Sequence, residues 1–155
     1  MGYEGVLHAE RFTSCPFSVA QEYAEDYLRD AERGGDRAVV SAGPLRRRVT
    51  FRFGLRSDAA ERGRAHEEIV LHWFAGMRFL PNFRGTLRMR ISMPGTMLVL
   101  DGRYVPPGGV LGTLFDRLVG RRIATASADS LLAAIDETLE GRERAWRDAS
   151  EPISN

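Results

Sequence analysis

Several residue types and segments that mark specific functions are scarce or absent in this sequence. All 22 basic residues are arginines, so a Schiff-base lysine and a P-loop lysine are both excluded. The single cysteine, Cys15, cannot form an internal disulfide or a multi-thiolate metal site, which suits a reducing compartment. The N-terminus lacks a basic segment followed by an apolar one, and no apolar stretch approaches the ~20 residues that span a bilayer. We therefore expect a cytoplasmic protein without a membrane span.

The charge balance and the motifs narrow the function further. The 22 basic and 21 acidic side chains leave a formal charge of +1, which argues against nucleic acid as a partner. The sequence contains no G-x-S-x-G elbow, no P-loop and no dinucleotide-binding glycine motif. His66 begins a segment like a zinc-protease helix, but Val70 stands where the second ligand must be. His66 and His72 would lie ~20 Å apart on one strand. We predict no catalytic residue, metal or cofactor.

The composition is that of one ordinary globular domain. The chain has 155 residues, of which 43% are hydrophobic and 28% charged, so it can bury a substantial core. No internal repeat, low-complexity tract or linker divides it. We assign a single domain to residues 1–147 and a flexible tail to residues 148–155.

Alternating apolar residues predict an antiparallel meander. Strands are predicted over residues 46–56, 67–74, 86–93 and 97–105, after an opening strand at 4–13. The alternation is nearly strict in three of them, and mixed at 4–13 and 67–74. For these two strands the pattern leaves open which side chains point inward.

Two helical segments complete the predicted element order. Pro16 opens the first, and Gly34 with Gly35 ends it. The second follows the turn at residues 106–109 and continues to about Trp146, with its longer part at 127–146. Twenty helical residues extend ~30 Å, enough to cross the sheet. Strands with one apolar face need a cover, so we predict an α+β fold with a curved sheet around the C-terminal helix.

Three stretches of the sequence resemble a known superfamily. They are the strand ending in Ser14-Cys15-Pro16-Phe17; Leu71-His72-Trp73-Phe74 continuing to Leu80-Pro81-Asn82-Phe83-Arg84-Gly85; and the run from Leu100 to Gly109 before Leu111-Gly112. In this order they resemble the START-like, or SRPBCC, superfamily of polyketide cyclases and pollen-allergen-like proteins, and the resemblance spans nearly the whole chain. It implies a helix-grip fold and a hydrophobic cavity between sheet and terminal helix.

The predicted function is binding of a hydrophobic small molecule, such as a lipid, sterol or polyketide, in that cavity. Most of the ligand-binding candidates are residues on the apolar side of the predicted strands and of the C-terminal helix. His72 is added because it is a polar residue at the centre of a strand. The predicted set is Phe51, Phe53, His72, Met89, Leu100, Tyr104, Leu132 and Ile135.

Two alternatives stay open on the sequence alone. The same cavity could serve a cyclase or dehydratase, with His72 or Tyr104 orienting a polyketide-like chain. The fold could instead have a filled core and act as an interaction module through an exposed apolar patch, including contact with a second copy as a homodimer. The arginines of the strands are interpreted as a solvated outer face.

Overall fold

The computed structural model describes residues 4–33, 39–42, 45–48, 50–57, 67–74, 82–105 and 120–151. Seven strands and two helices lie in this part of the chain. In chain order they are β1 (Gly5–Thr13), α1 (Phe17–Glu32), β2 (Val39–Ala42), β3 (Leu45–Arg48), β4 (Thr50–Ser57), β5 (Glu67–Phe74), β6 (Asn82–Ser92), β7 (Gly95–Val105) and α2 (Arg121–Ser150).

Five of the strands form one antiparallel sheet in the order β1-β7-β6-β5-β4. The strands β4 to β7 follow one another as a meander, and β1 then pairs with the last strand of that meander, β7. A separate two-stranded sheet joins β2 and β3. The predicted meander is therefore present, and β2 is an element that the sequence reasoning did not identify.

One face of the large sheet is buried and the other faces solvent. Along β1 the buried positions are Gly5, Leu7, Ala9 and Thr13, and the residues between them are exposed. In β5, Ile69, Leu71 and Trp73 are buried. This alternation, which follows from the period of two along a strand, settles the inward phase that the sequence left open at 4–13 and 67–74. We call the buried side the inner face and the other side the outer face.

Helix α2 lies against the inner side of the fold and contacts both β1 and β2. Helix α1 packs against α2 and against β4, β6 and β7. The buried cluster between these layers draws side chains from β1, β5, β6, β7 and both helices. The prediction of an α+β helix-grip fold is confirmed.

Several element boundaries differ from the sequence prediction. The strand predicted over residues 46–56 is divided between β3 and β4, which belong to different sheets. Strand β6 begins at Asn82 rather than Thr86, because Phe83 is an inner-face residue that continues the alternation. Helix α2 covers 30 residues from Arg121 to Ser150, so it continues into the segment expected to be a tail. Within the described ranges, no helix is both long enough and apolar enough to cross a bilayer.

Candidate functional site

Four aromatic residues occupy one line of register positions at one end of the large sheet, and the side chains of Trp73, Phe83 and Tyr104 are buried on its inner face. The strand register places them opposite one another in neighbouring strands. This line, which we call the aromatic row, consists of Phe51, Trp73, Phe83 and Tyr104. Strands β5 and β7 both end just beyond it, so the row lies at the rim of the sheet.

Trp73 and Phe83 form the centre of the aromatic row. Their rings stack with centroids 4.2 Å apart and planes inclined by 19°. Trp73 is only 1% exposed and Phe83 only 2%. Offset stacking of this kind adds about 0.5–1.5 kcal/mol to the burial of the two side chains. The pair is therefore a rigid, apolar platform.

Two opposed glycines allow the platform to lie close to the sheet. Gly85 and Gly102 face each other across β6 and β7, two register positions from the aromatic pair Phe83 and Tyr104. A Cβ atom at Gly102 would lie 2.5 Å from Phe83 Cζ and 2.5 Å from the carbonyl oxygen of Arg84. Real Cβ atoms do not come so close to a backbone oxygen. The Phe83 ring therefore occupies space that the side chain of any residue other than glycine at position 102 would fill.

The buried side of α2 faces this part of the sheet with small residues. Arg11 meets Asp136 and Ser14 meets Glu140, so α2 runs beside β1 in the same direction. Ser127, nine residues before Asp136, therefore lies about 13 Å back along the helix, at the level of Leu7. Its neighbours Ala124 and Ala128 are fully buried. The helix is thus narrow near the aromatic row.

Ser127 itself is a buried polar residue. It is 1% exposed, and its hydroxyl has no hydrogen-bond partner among the residues that the structure describes. An unpaired buried hydroxyl costs about 1–3 kcal/mol. Among the described residues, the Ser127 hydroxyl and the Asp136 Oδ1 atom are therefore the buried side-chain groups that have no hydrogen-bond partner.

Charged contacts fix α2 at the other end of the sheet. Arg11 Nε donates to Asp136 Oδ2 at 2.7 Å, and the hydroxyl of Ser14 donates to Glu140 Oε1 at 2.9 Å. The hydrogen bonds from Ser14 lower the pKa of Glu140. The ionised form of Glu140 is the form that accepts these bonds, so the contact favours the carboxylate. These contacts clamp β1 to the helix.

A second clamp joins the two helices. Arg142 of α2 donates to Asp26 of α1 at 2.7 Å and lies over the ring of Tyr23, 5.2 Å from its centroid. The hydrogen bond from Arg142 lowers the pKa of Asp26. Near this clamp, burial together with Glu143, Glu140 and Asp136 raises the pKa of the Cys15 thiol to about 11. Cys15 is therefore a packing residue rather than a reactive thiolate.

Comparisons with known proteins agree on the fold. No protein-family model and no curated protein sequence matches the chain. Among solved structures, Zhui aromatase/cyclase from Streptomyces sp. R1128 is similar over 97% of this chain and 100% of that one, with a TM-score of 0.51 and 15% identity. Ara h 8.0201 is similar over 90% and 99%, with a TM-score of 0.50 and 9% identity. These likenesses show that the chain has a START-like helix-grip fold.

A third similar structure fits the same START-like fold. The di-domain aromatase/cyclase StfQ from the steffimycin biosynthetic pathway has a TM-score of 0.56 and 15% identity, over 90% of this chain and 52% of that one. At identities this low the likeness concerns the arrangement of helices and strands. The site has to be argued from this chain's own residues.

Within the START-like fold, the structure brings five of the predicted ligand-binding residues into one buried cluster. They are Met89, Leu100, Tyr104, Leu132 and Ile135. Phe51 and Phe53 occupy register positions opposite Trp73 and Leu71, and their side chains lie outside the described residues.

His72 is not part of that cluster. It stands between the buried residues Leu71 and Trp73, so the alternation of the strand places it on the outer face. The expectation that His72 points into a cavity under α2 is therefore corrected. The sequence leaves this phase open because β5 is apolar almost throughout, which hides the alternation.

Trp73 and Phe83 are the inner-face residues that sequence reasoning missed. The signal was available for Phe83, since Phe83, Leu87 and Met89 share one phase of β6. The inward position of Phe83 is hidden in the sequence because Pro81 and Asn82 are typical of a loop. For Trp73, only the register with β6 decides the phase.

Proposed function

We propose that this chain binds an apolar small molecule, of the lipid, sterol or polyketide kind, between the aromatic row and the N-terminal half of α2. The observation that supports this most is the pairing of a stacked aromatic platform with the small residues Ala124, Ser127 and Ala128 on the facing helix. The platform offers a flat apolar surface, and the short side chains on α2 leave more space opposite it than large side chains would. This combination suits a flat or chain-like ligand.

The energetics of such binding follow from burial. Each Å² of apolar guest surface removed from water contributes about 25 cal/mol before the costs of association. The aromatic row contains no ionisable group except the Tyr104 phenol, so it supplies affinity for apolar surface and no strong base. The Ser127 hydroxyl would accept or donate one hydrogen bond to a carbonyl or hydroxyl of the guest.

The chain's two tryptophans provide the test. Trp146 is 60% exposed near the end of α2, whereas Trp73 is in the aromatic row. In the Trp146→Phe variant the emission of Trp73 alone is recorded during titration with oleate, cholesterol and an anthraquinone. We expect a saturable change with at least one of them, accompanied by a higher melting temperature.

The matched control is the Trp73→Phe variant, in which only Trp146 emits. Its emission should not change with the same guest. The proposal fails if no compound in the panel changes Trp73 emission and none raises the melting temperature. Equal changes in both variants would also contradict it, because they would indicate binding at the surface.

A second candidate is a cyclase-like enzyme that uses the same space. Two of the similar solved structures are aromatase/cyclases, which is the specific observation in its favour. His72 cannot take part from the outer face, so the phenol of Tyr104 is the group of the predicted pair that remains. In Tyr104→Phe, turnover of a poly-β-ketone should be lost while guest binding persists. Turnover that persists in Tyr104→Phe would contradict a catalytic role for this phenol, and absence of turnover in the unchanged chain would leave binding alone as the function.

The interaction-module alternative predicts a different result. A filled core would bind none of the guests, and the chain would self-associate or capture a partner through an exposed apolar patch. Gel filtration of the purified chain, with and without the guest that saturates Trp73 emission, separates this alternative from the first two. A monomer that binds the guest contradicts it.

A further inference from the structure

The outer face carries a line of basic residues directly behind the aromatic row. The register places Arg52 opposite His72, His72 opposite Arg84, and Arg84 opposite Arg103. We call these four residues the basic row. Neighbouring strands lie about 4.8 Å apart, so the row spans about 15 Å across four strands.

A groove of about 1000 Å³ runs over the basic row. His72, Arg84 and Arg103 line it, together with the polar side chains of Asn82 and Thr86. The exposed side chains of Val6 and Val105 lie on its β1 and β7 side, and they are 77% and 45% exposed. The groove therefore combines cationic, hydrogen-bonding and apolar surface, and the sheet separates it from the inner face.

Elsewhere on the outer face, cations have carboxylate partners. Asp101 accepts a hydrogen bond from Arg88 at 2.7 Å and also bonds with His8. Arg90 donates to Glu10 at 2.7 Å. These contacts lie one or more register positions away from the basic row and follow the usual arrangement of a solvated charged face.

At the centre of the basic row, Arg84 and Arg103 are less well compensated. Within the part of the chain that the structure describes, Arg84 has no acidic partner. Arg103 contacts Glu4 at 3.3 Å, with both side chains largely exposed, so that pair is weak. Like charges directly opposite one another on a sheet are unfavourable. An anion lying between Arg84 and Arg103 would remove this repulsion.

We propose that the groove binds a small molecule that carries phosphate groups, with the guanidinium groups of Arg84 and Arg103 donating to its phosphate oxygens. Planar guanidinium groups match the oxygens of phosphate in bidentate geometry. The valines beside the row would contact an apolar part of the same molecule. This site is independent of the inner-face function proposed above.

The carboxylates around the groove indicate a small ligand rather than a polymer or a membrane surface. Glu4 and Asp101 both line the groove, and Glu10 follows on the same face. An extended polyanion crossing the face would have to pass these carboxylates. A compact anion held between Arg84 and Arg103 avoids most of that repulsion.

The test is calorimetric titration of the full chain with inorganic diphosphate. Arg84→Gln and Arg103→Gln should each weaken binding by about tenfold or more, since each removes charge-assisted hydrogen bonds. Arg90→Gln is the matched control, because Arg90 is an exposed arginine on the same strand that lies outside the groove and is paired with Glu10. It should leave the affinity unchanged within about twofold. Binding should weaken as salt is added.

Several results would overturn the proposal. Absence of binding at millimolar diphosphate is one, and equal weakening by all three variants is another, because it would indicate diffuse attraction. Binding to phosphatidylserine vesicles without binding to diphosphate would assign the face to a membrane surface instead. Melting curves establish that each variant is folded, and two separate arginine variants keep the test valid if one of them is not.

Discussion

Two rows of side chains cross the same four strands, one on each face of the sheet, and they differ in every property except position. The described side chains of the aromatic row are buried on the inner face, whereas the outer-face row consists of basic residues. The members are sequence neighbours: Phe51 and Arg52, Trp73 and His72, Phe83 and Arg84, Tyr104 and Arg103. A strand with a period of two can thus build two unlike surfaces from adjacent residues, and a one-residue slip would exchange them.

Removing the large inner-face side chain should have the largest effect on stability. We expect Trp73→Ala to lower the free energy of unfolding by about 3–5 kcal/mol, because it leaves a cavity beside Phe83. Trp146→Ala should change it by no more than about 0.5 kcal/mol, because Trp146 is exposed. Urea unfolding followed by circular dichroism measures both. Similar losses in the two variants would contradict the description of the aromatic row as core.

A smaller effect is expected where the inner face approaches the backbone. Gly102→Ala should cost about 3 kcal/mol, because the new Cβ would collide with the Arg84 carbonyl oxygen and the Phe83 ring. Gly54→Ala is the control, since a Cβ there meets nothing within 4 Å. It should be neutral or stabilise the fold by up to about 1 kcal/mol. A harmless Gly102→Ala would show that the Phe83 ring can move away at no cost.

The buried thiol should be markedly slow to react. With its pKa raised to about 11 by burial and nearby carboxylates, Cys15 should be alkylated by iodoacetamide at pH 8 about 100-fold more slowly than a free cysteine with a pKa of 9.0. Unfolding in urea should restore the ordinary rate. Fast alkylation of the folded chain would mean that the junction of β1, α1 and α2 opens readily.

On the outer face, the smallest effect is a pH dependence at His8. The hydrogen bond to Asp101 raises the pKa of His8 above 6.5. Burial by itself raises the pKa of Asp101, but the hydrogen bonds from His8 and Arg88 outweigh it and lower that pKa. A raised histidine pKa stabilises the folded state below pH 6.5, and this contribution is lost as the pH rises through the folded value.

Nuclear magnetic resonance titration of the imidazole measures the His8 pKa directly. In Asp101→Asn the value should fall toward 6.5. His8→Gln should flatten the dependence of the unfolding free energy on pH just above 6.5. An unchanged titration in Asp101→Asn would contradict the contact and would weaken the contrast between the paired outer-face charges and the basic row.

The sequence predicts the fold well where patterns are local. The alternation of apolar and polar residues along β6 and the apolar stripe on α2, with Leu132 and Ile135, are sufficient to predict a curved sheet and its covering helix. The strand β2 is four residues long and has no marked alternation, so no local pattern identifies it. Short elements of this kind are specified by tertiary contacts, here with β3 and α2.

The candidate site is less predictable than the fold. Tyr104 and Met89 could be assigned to the inner face because their strands alternate cleanly. His72 could not, because Ile69 to Trp73 is apolar except at His72, and only pairing with β6 decides which side faces in. The basic row depends on the register of four strands together, which no single segment encodes.

The clamp between Ser14 and Glu140 joins residues 126 positions apart. Such a contact cannot form on the ribosome until α2 has been synthesised, so before that point in translation the apolar side of the strands is uncovered. Chains that stop before Arg121 would leave Leu71, Trp73 and Leu100 without their covering helix, and we expect such chains to aggregate.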